Sequence, residues 1–245
     1  MSLNSILEAL RRLARRHLLT ANTIRYRIEY RAIRGLINET GDPVDVIVDL
    51  GAGSGEMSAR LVEDGLAGTV IGVEPDPTNF SLLERRYSKL KGSQCINRPL
   101  EETRLNDSAV AAILSTQVLE HIPDDDAAVA EIYRILKPGG LAVISVPHPP
   151  ELFPNPGHVR PGYTLDTLTT LFERHGFALV DYDYFLTLPT VRRTIASEEL
   201  GVLGRLLSPS WADRETHLTR SEKETLQPYG LAALFRKQPP SPLRS

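Results

Sequence analysis

The chain is poor in the residues that would mark several protein classes. Its 245 residues include one cysteine, one tryptophan and two methionines. A single cysteine, Cys95, excludes an internal disulfide and fits a reducing compartment; its expected place is the third strand, packed as a small apolar side chain. No apolar run approaches the length of a membrane span, and no signal-peptide pattern opens the sequence, so the expected compartment is the cytoplasm. Neither charge dominates: 28 basic against 31 acidic residues give no general attraction to nucleic acid. No internal repeat is evident, and no cluster of histidine, cysteine and aspartate has zinc spacing, so no metal is expected.

What charge asymmetry exists sits at the start. Residues 1–40 carry eight arginines (11, 12, 15, 16, 25, 27, 31 and 34) against Glu8, Glu29 and Glu39, a net of +5. Wound as a helix, Leu3, Ile6, Leu7, Leu10, Leu13, Ala14 and Leu18 share one face and Arg11, Arg12, Arg15 and Arg16 the other. Such a helix packs on the domain or on a second copy of the chain as a homodimer, or rests weakly on an anionic membrane surface through residues 1–18. A second helix, about 22–39, aligns Tyr26, Tyr30, Ile33 and Ile37 in a stripe beside Arg27, Arg31 and Arg34.

The most informative stretch is VIVDLGAGSGE, residues 46–56. Val46, Ile47, Val48 and Leu50 around Asp49 read as a buried parallel strand that runs into glycines. Gly51, Gly53 and Gly55 let the backbone turn tightly and approach a ligand without side chains in between. A helix over Met57–Glu63 then opens its free N–H groups onto the same spot. A dinucleotide fingerprint, GxGxxG, requires a third glycine at position 56, where Glu56 stands instead. That weighs against a nicotinamide-dependent oxidoreductase. A carboxylate two residues before the first glycine suits an amino group or positive charge better than a pyrophosphate.

On these residues the sequence resembles the class I methyltransferases that use S-adenosylmethionine. VIVDLGAGSGE is similar to their first motif and VIGVEPDP, residues 70–77, to their second. STQVLEHIPD (115–124) and EIYRILKPGGLAVISVP (131–147) agree, and the likeness runs over roughly residues 44–184. The resemblance implies an α/β fold: a Rossmann-like, seven-stranded, mostly parallel sheet with helices on both faces and an antiparallel last strand. It implies S-adenosyl-L-methionine as cofactor and S-adenosyl-L-homocysteine as product. Glu74, 23 positions after Gly51, takes the place of the acid that binds both ribose hydroxyls. Gly51, Ala52 and Gly53 face the methionine and ribose portions, Asp49 lies near the amino group, and Pro75 touches the adenine side. Gln117 matches a residue whose backbone helps hold the methionine end. The family's adenine-binding Asp after the third strand is missing from NRPLEET (97–103), so the Leu100 backbone or Glu101 is expected to substitute. Ala111, where a Phe-Asp pair usually stands, is expected to affect packing alone.

Alternation of strand and helix through the middle of the chain implies a parallel sheet. Strands are expected at 94–97, 110–115, 141–146 and 177–185, with helices over 77–87, after Pro123 and over 164–175. The resemblance implies residues 41–237 as the methyltransferase domain, preceded by the segment 1–40 as a helical lid or interface in which Tyr26 or Arg27 is placed to touch ligand, with packing the expected role of the tyrosines. Residues 186–227, with a helix around Glu199–Leu207 and the lone Trp211, interrupt the rhythm before an apolar last strand at 229–236 and read as a substrate-shaping cap or an oligomer-forming insert. Residues 238–245 read as a flexible tail.

Candidate catalytic groups are His148, just past the fifth strand, and His158 in GHVRPGY, where a histidine near neutrality can take a proton from a hydroxyl. His121 suits a structural or cofactor-side role, and Arg160 either pairs with an anionic acceptor or caps its loop. The motifs of amino-methylating DNA enzymes and of cytosine-carbon enzymes are missing. The expected acceptor is therefore a small molecule, most readily a hydroxyl of a sugar, a secondary metabolite or a lipid-linked intermediate, and not nucleic acid. The alternative from another class is an interaction subunit that binds the cofactor without turnover.

Overall fold

The computed structural model describes residues 21–38, 41, 43–150, 155–199 and 212–239. The chain divides into two units, with boundaries at Ala32/Ile33, Asp183/Tyr184 and Tyr229/Gly230. The N-terminal basic helix expected over 3–18, Trp211, most of the helix expected around Glu199–Leu207 and all but the first two residues of the tail lie outside the described residues.

The larger unit is built on a seven-stranded sheet in the order β3-β2-β1-β4-β5-β7-β6. The strands are β1 (Val44–Leu50), β2 (Ala67–Val73), β3 (Gln94–Ile96), β4 (Val110–Thr116), β5 (Leu136–Pro147), β6 (Phe177–Thr187) and β7 (Pro228–Lys237). β1 pairs in parallel with β2 and β4, β4 with β5, and β7 runs antiparallel to β5. Near-continuous apolar runs explain the arrangement. Ile47, Val48 and Leu50, Ile113 and Leu114, Ile144 and Val146, and Leu231–Phe235 are all buried, as strands covered on both faces must be.

The helices are α1 (Ala21–Asn38), α2 (Glu56–Glu63), α3 (Pro77–Tyr87), α4 (Asp125–Ile135), α5 (Leu165–Arg174), α6 (Leu188–Glu199) and α7 (Arg220–Thr225). Crossovers lead outward from β1 in one direction to β3 and in the other to β5. Their common right hand puts the two sets of helices on opposite faces. Side chains set the helix starts: Asp76 accepts from the Asn79 N–H, Asp124 from the Ala127 N–H, and Thr164 with Thr167 forms a capping box. α4 ends where the Lys237 ammonium donates to the carbonyls of Tyr133 and Leu136 at 2.6 and 2.7 Å, above the Tyr133 ring.

Two expected boundaries shift. β5 begins at Leu136 rather than Leu141, because Leu136 pairs with Val110 before Lys137–Gly140 bulge outward and Leu141 regains register at Ala112. Residues 188–199 form α6, since Pro189 near a helix start costs no intrahelical hydrogen bond.

In the smaller unit, Arg27 and Arg31 pair with Asp213 at 2.8 and 3.2 Å, tying α1 to the segment before α7. Glu215, buried, accepts the Thr187 N–H at 2.9 Å, the Thr187 hydroxyl at 2.7 Å and the Thr190 hydroxyl. A buried carboxylate is tolerable there because donors satisfy it.

The loop that leaves β5 re-enters the sheet edge through Gly162, whose φ is 103° and whose hypothetical Cβ would lie 2.0 Å from the Pro147 carbonyl oxygen. That close approach lets the Tyr163 N–H reach the same oxygen at 2.8 Å. Gly162→Ala is expected to cost roughly 1–3 kcal/mol of stability, measured by chemical denaturation, because the left-handed backbone and the contact both resist a methyl group.

Candidate functional site

The strand order reverses at β1, between β2 and β4, and the carboxyl edge at such a switch point is where open α/β sheets hold their ligands. Asp49, the penultimate residue of β1, lies there between Gly72 of β2 and Leu114 of β4. It is buried, and its Oδ2 accepts from the Ser58 hydroxyl, which in turn lies 2.6 Å from the Tyr87 hydroxyl. Oδ1 has no hydrogen-bond partner among the described residues. Burial pushes the Asp49 carboxyl up to about 7, with the Glu74 charge adding to the rise and the Ser58 hydrogen bond opposing it. Burial, and then the nearby Asp49 charge, likewise push the Tyr87 phenol upward.

The loop after Asp49 is shaped by tight contact. The N–H groups of Gly51 and Ala52 both donate to the Val73 carbonyl at 2.9 Å, folding the loop against β2. Gly51 has φ 72°, and a Cβ there would fall 2.4 Å from Val118 Cγ2, so the loop after β4 sits directly on it. Glu74, just beyond β2, is buried and doubly held: the Gly53 N–H donates to Oε2 at 2.7 Å and the Asp76 N–H to Oε1 at 2.9 Å. Each oxygen keeps a further lone pair for a ligand hydroxyl. The turn and the acid, 21 residues apart, thus form one cradle.

Beyond Glu74, Pro75 is exposed and Asn97, which sequence reasoning passed over, donates to the carbonyls of Glu74 and Pro75 at 2.8 and 3.2 Å. Asn97 directly follows β3, and a polar residue just past a strand's carboxyl end was the available signal. Leu100 is buried at the start of a 3-10 turn, whereas Glu101 is exposed. Gln117 adopts φ 55°, its N–H donates to the Ser145 carbonyl, and its buried Nε2 has no partner among the described residues. Ser58 and Tyr87 were also unforeseen; helix membership made them look like ordinary packing.

His148 follows the end of β5, half-buried. His158 belongs to the loop before α5, its Nε2 lying 4.0 Å from Oε1 of fully buried Glu120 and its ring edge-on to His121. Arg160 serves its loop. It donates to the carbonyls of Leu119, Ile122 and Pro123 and lies 3.6 Å from Asp125. Tyr163 adds a bond to Asp125 at 2.7 Å. His158 is therefore held against the turn Leu119–His121, while the head of Arg160 is occupied.

The geometry fits an amino-acid-bearing nucleoside. Orphaned oxygen at Asp49 suits an ammonium group directly or through water, Glu74 suits a ribose diol, and the glycine loop admits a backbone-close ligand. A model of a methyltransferase domain matches residues 48–144. The chain is 31% identical over 141 residues to a Mycolicibacterium smegmatis protein named as a probable S-adenosylmethionine-dependent methyltransferase, covering 55% of this chain and 52% of that one. It is 37% identical over 94 residues to an uncharacterized methyltransferase of Mycobacterium tuberculosis, covering 38% of this chain and 36% of the relative. The chain thus spans about half, or less, of these curated relatives. The crystal structure of Burkholderia thailandensis 1,6-didemethyltoxoflavin-N1-methyltransferase, with that compound and S-adenosylhomocysteine bound, shares the fold at a TM-score of 0.57 and 20% identity, over 85% of this chain and 77% of that one. Motifs and strand order agree with these likenesses: residues 48–144 match the methyltransferase domain, and the sheet shares the fold of that solved methyltransferase.

Proposed function

We propose that the chain transfers the methyl group of S-adenosylmethionine to a small-molecule acceptor, most readily a hydroxyl oxygen of a sugar, a secondary metabolite or a lipid-linked intermediate. The observation that carries the reading is the buried Oδ1 of Asp49, without a hydrogen-bond partner among the described residues, beside the Gly51–Gly53 turn, with Glu74 held by that turn. The cofactor supplies an electrophilic methyl group. Asp49 takes its amino end, Gly51, Ala52, Gly53 and Gln117 line its methionine and ribose portions, Glu74 accepts from the ribose, and Pro75, Leu100 and Glu101 border the adenine. The protein's remaining task is to hold the acceptor in line and receive its proton. His148 and His158, beyond β5 and in the loop that follows, are the groups proposed for that. The solved relative with a small heterocycle and S-adenosylhomocysteine bound supports a small-molecule acceptor.

Among the described residues no helix is long and apolar enough to cross a membrane. We place the protein in the cytoplasm, with no nucleic-acid partner. The residues 1–40 and 186–227 serve in this reading as a lid or dimer contact and as a substrate cap.

Calorimetric titration with S-adenosylhomocysteine, with NADH as control, tests the cofactor reading; micromolar binding of the first alone is expected, no binding would overturn the reading, and binding without transfer to any acceptor would favour an interaction subunit. Glu74→Ala is expected to weaken that binding by about 1.5–3 kcal/mol, the usual worth of hydrogen bonds to a charged group. Affinity is expected to depend on pH through Asp49. Only the carboxylate receives an ammonium, so below a pKa of about 7 binding falls by about tenfold per pH unit, levels above it, and loses the dependence in Asp49→Asn. The ligand-free protein behaves oppositely. Its raised carboxyl pKa makes the folded state hold the proton more tightly than the unfolded one, so this group lowers stability as pH rises from 3.8 toward about 7. With a hydroxyl acceptor found by mass gain, His148→Ala or His158→Ala is expected to reduce transfer by about 10²–10⁴-fold. Full transfer by both variants would remove the base assignment.

A further inference from the structure

The turn after β4 and the loop before α5 bring together three donors that the cofactor contacts leave aside. Glu120 is wholly buried in the 3-10 turn Leu119–His121, His121 follows it at the surface, and His158 arrives from the loop before α5. One ligand-capable atom from each lies within 4.8 Å of the other two. The 4.0 Å between His158 Nε2 and Glu120 Oε1 is too long for a hydrogen bond, yet it is nearly the span of two metal–ligand bonds of about 2.0–2.2 Å.

The two segments are held in place by their backbones. The Val159 N–H donates to the Glu120 carbonyl at 2.9 Å, and Arg160 clamps the carbonyls on either side of the turn, those of Leu119 and Ile122. His121 Nδ1 lies 2.9 Å from the Gly157 carbonyl. A carbonyl only accepts, so the ring proton sits on Nδ1 and the lone pair on Nε2. A backbone carbonyl on one ring nitrogen is the common outer support of a metal-binding imidazole, fixing tautomer and orientation together.

We propose that Glu120, His121 and His158 form a binding site for one divalent transition-metal cation. Two neutral imidazoles and one carboxylate are borderline donors that favour Zn²⁺ or Fe²⁺ over Mg²⁺ or Ca²⁺. Closing a 4.8 Å spread onto one ion requires side-chain shifts of about 0.6 Å for bonds of the usual length. Three protein donors leave at least one coordination position open, and an oxygen bound there becomes more acidic. The inference rests on the reading of an oxygen acceptor and sharpens it: the substrate class is one that presents a hydroxyl or enol oxygen to the ion. With the ion bound, the lone pair of His158 belongs to the metal, and His148 is the group left to take the proton.

The test uses the full chain, free of any affinity tag, stripped with chelator and dialysed. Zn²⁺ binding is measured by calorimetry and Co²⁺ binding by visible absorption, for the parent, Glu120→Gln and His158→Ala. One ion per chain is expected for the parent, with affinity lower by about tenfold or more in each variant. S-adenosylhomocysteine binding on the same samples is expected to be equal in all three and reports separately on folding and on the cofactor reading. A parent that binds either ion no more tightly than the variants overturns the cation site, whatever the cofactor result. Parent-specific ion binding without S-adenosylhomocysteine binding would sustain the site and remove the cofactor reading instead.

Discussion

A carboxylate buried in the central strand is the placement on which the candidate site depends. Removing an ion from water costs several kcal/mol even after relaxation. Asp49 meets that cost in part through Ser58, which Tyr87 supports from α3, and in part through a pKa pushed up to about 7. One oxygen is still left without a described partner. Such a group is an unfavourable feature in the empty protein and a favourable one when a cation arrives. In the proposed reading, binding and protonation are coupled at this one residue, and stability of the free chain is set against affinity for its ligand.

Near Asp49 the protein fixes polar side chains by pairing them with backbone donors and acceptors. Glu74 is oriented by two peptide N–H groups, the segment beyond it by the amide of Asn97, and the turn after β4 by the guanidinium of Arg160. Groups held in this way lose little conformational freedom when a ligand binds, which is the physical content of preorganisation. The same economy appears in the smaller unit, where Glu215 gathers the Thr187 N–H and two threonine hydroxyls.

Much of this could be read directly from local pattern. Strand and helix periodicity, the glycine turn after an apolar run, and an acid one strand-helix-strand unit later are short-range signals. They place Asp49, Gly51, Gly53 and Glu74 at the carboxyl edge of a parallel sheet, where the fold puts them. Caps at Asp76, Asp124 and Thr164 follow from the same kind of signal. Less legible were the bulge in β5, which depends on how Leu136 and Leu141 both find partners on β4, and α6, which falls in a segment where a helix was expected only around Glu199–Leu207.

What tertiary structure decided were relations between residues far apart in the chain. Arg160 reads equally well as an anion receptor or a loop clamp until its contacts with Leu119, Ile122 and Pro123 choose the second. Glu120, His121 and His158 show no metal spacing in sequence, because a loop closure and not a helical period brings them within 4.8 Å. Ser58 becomes a partner of Asp49, and Tyr87 of Ser58, only once α2 and α3 pack against the sheet. Sequence alone determined the order of elements and the chemistry at the end of β1 and β2, because periodicity and turn geometry are properties of neighbouring residues. The pairing of side chains across loops belonged to the folded state, because it is governed by distances that no local spacing encodes.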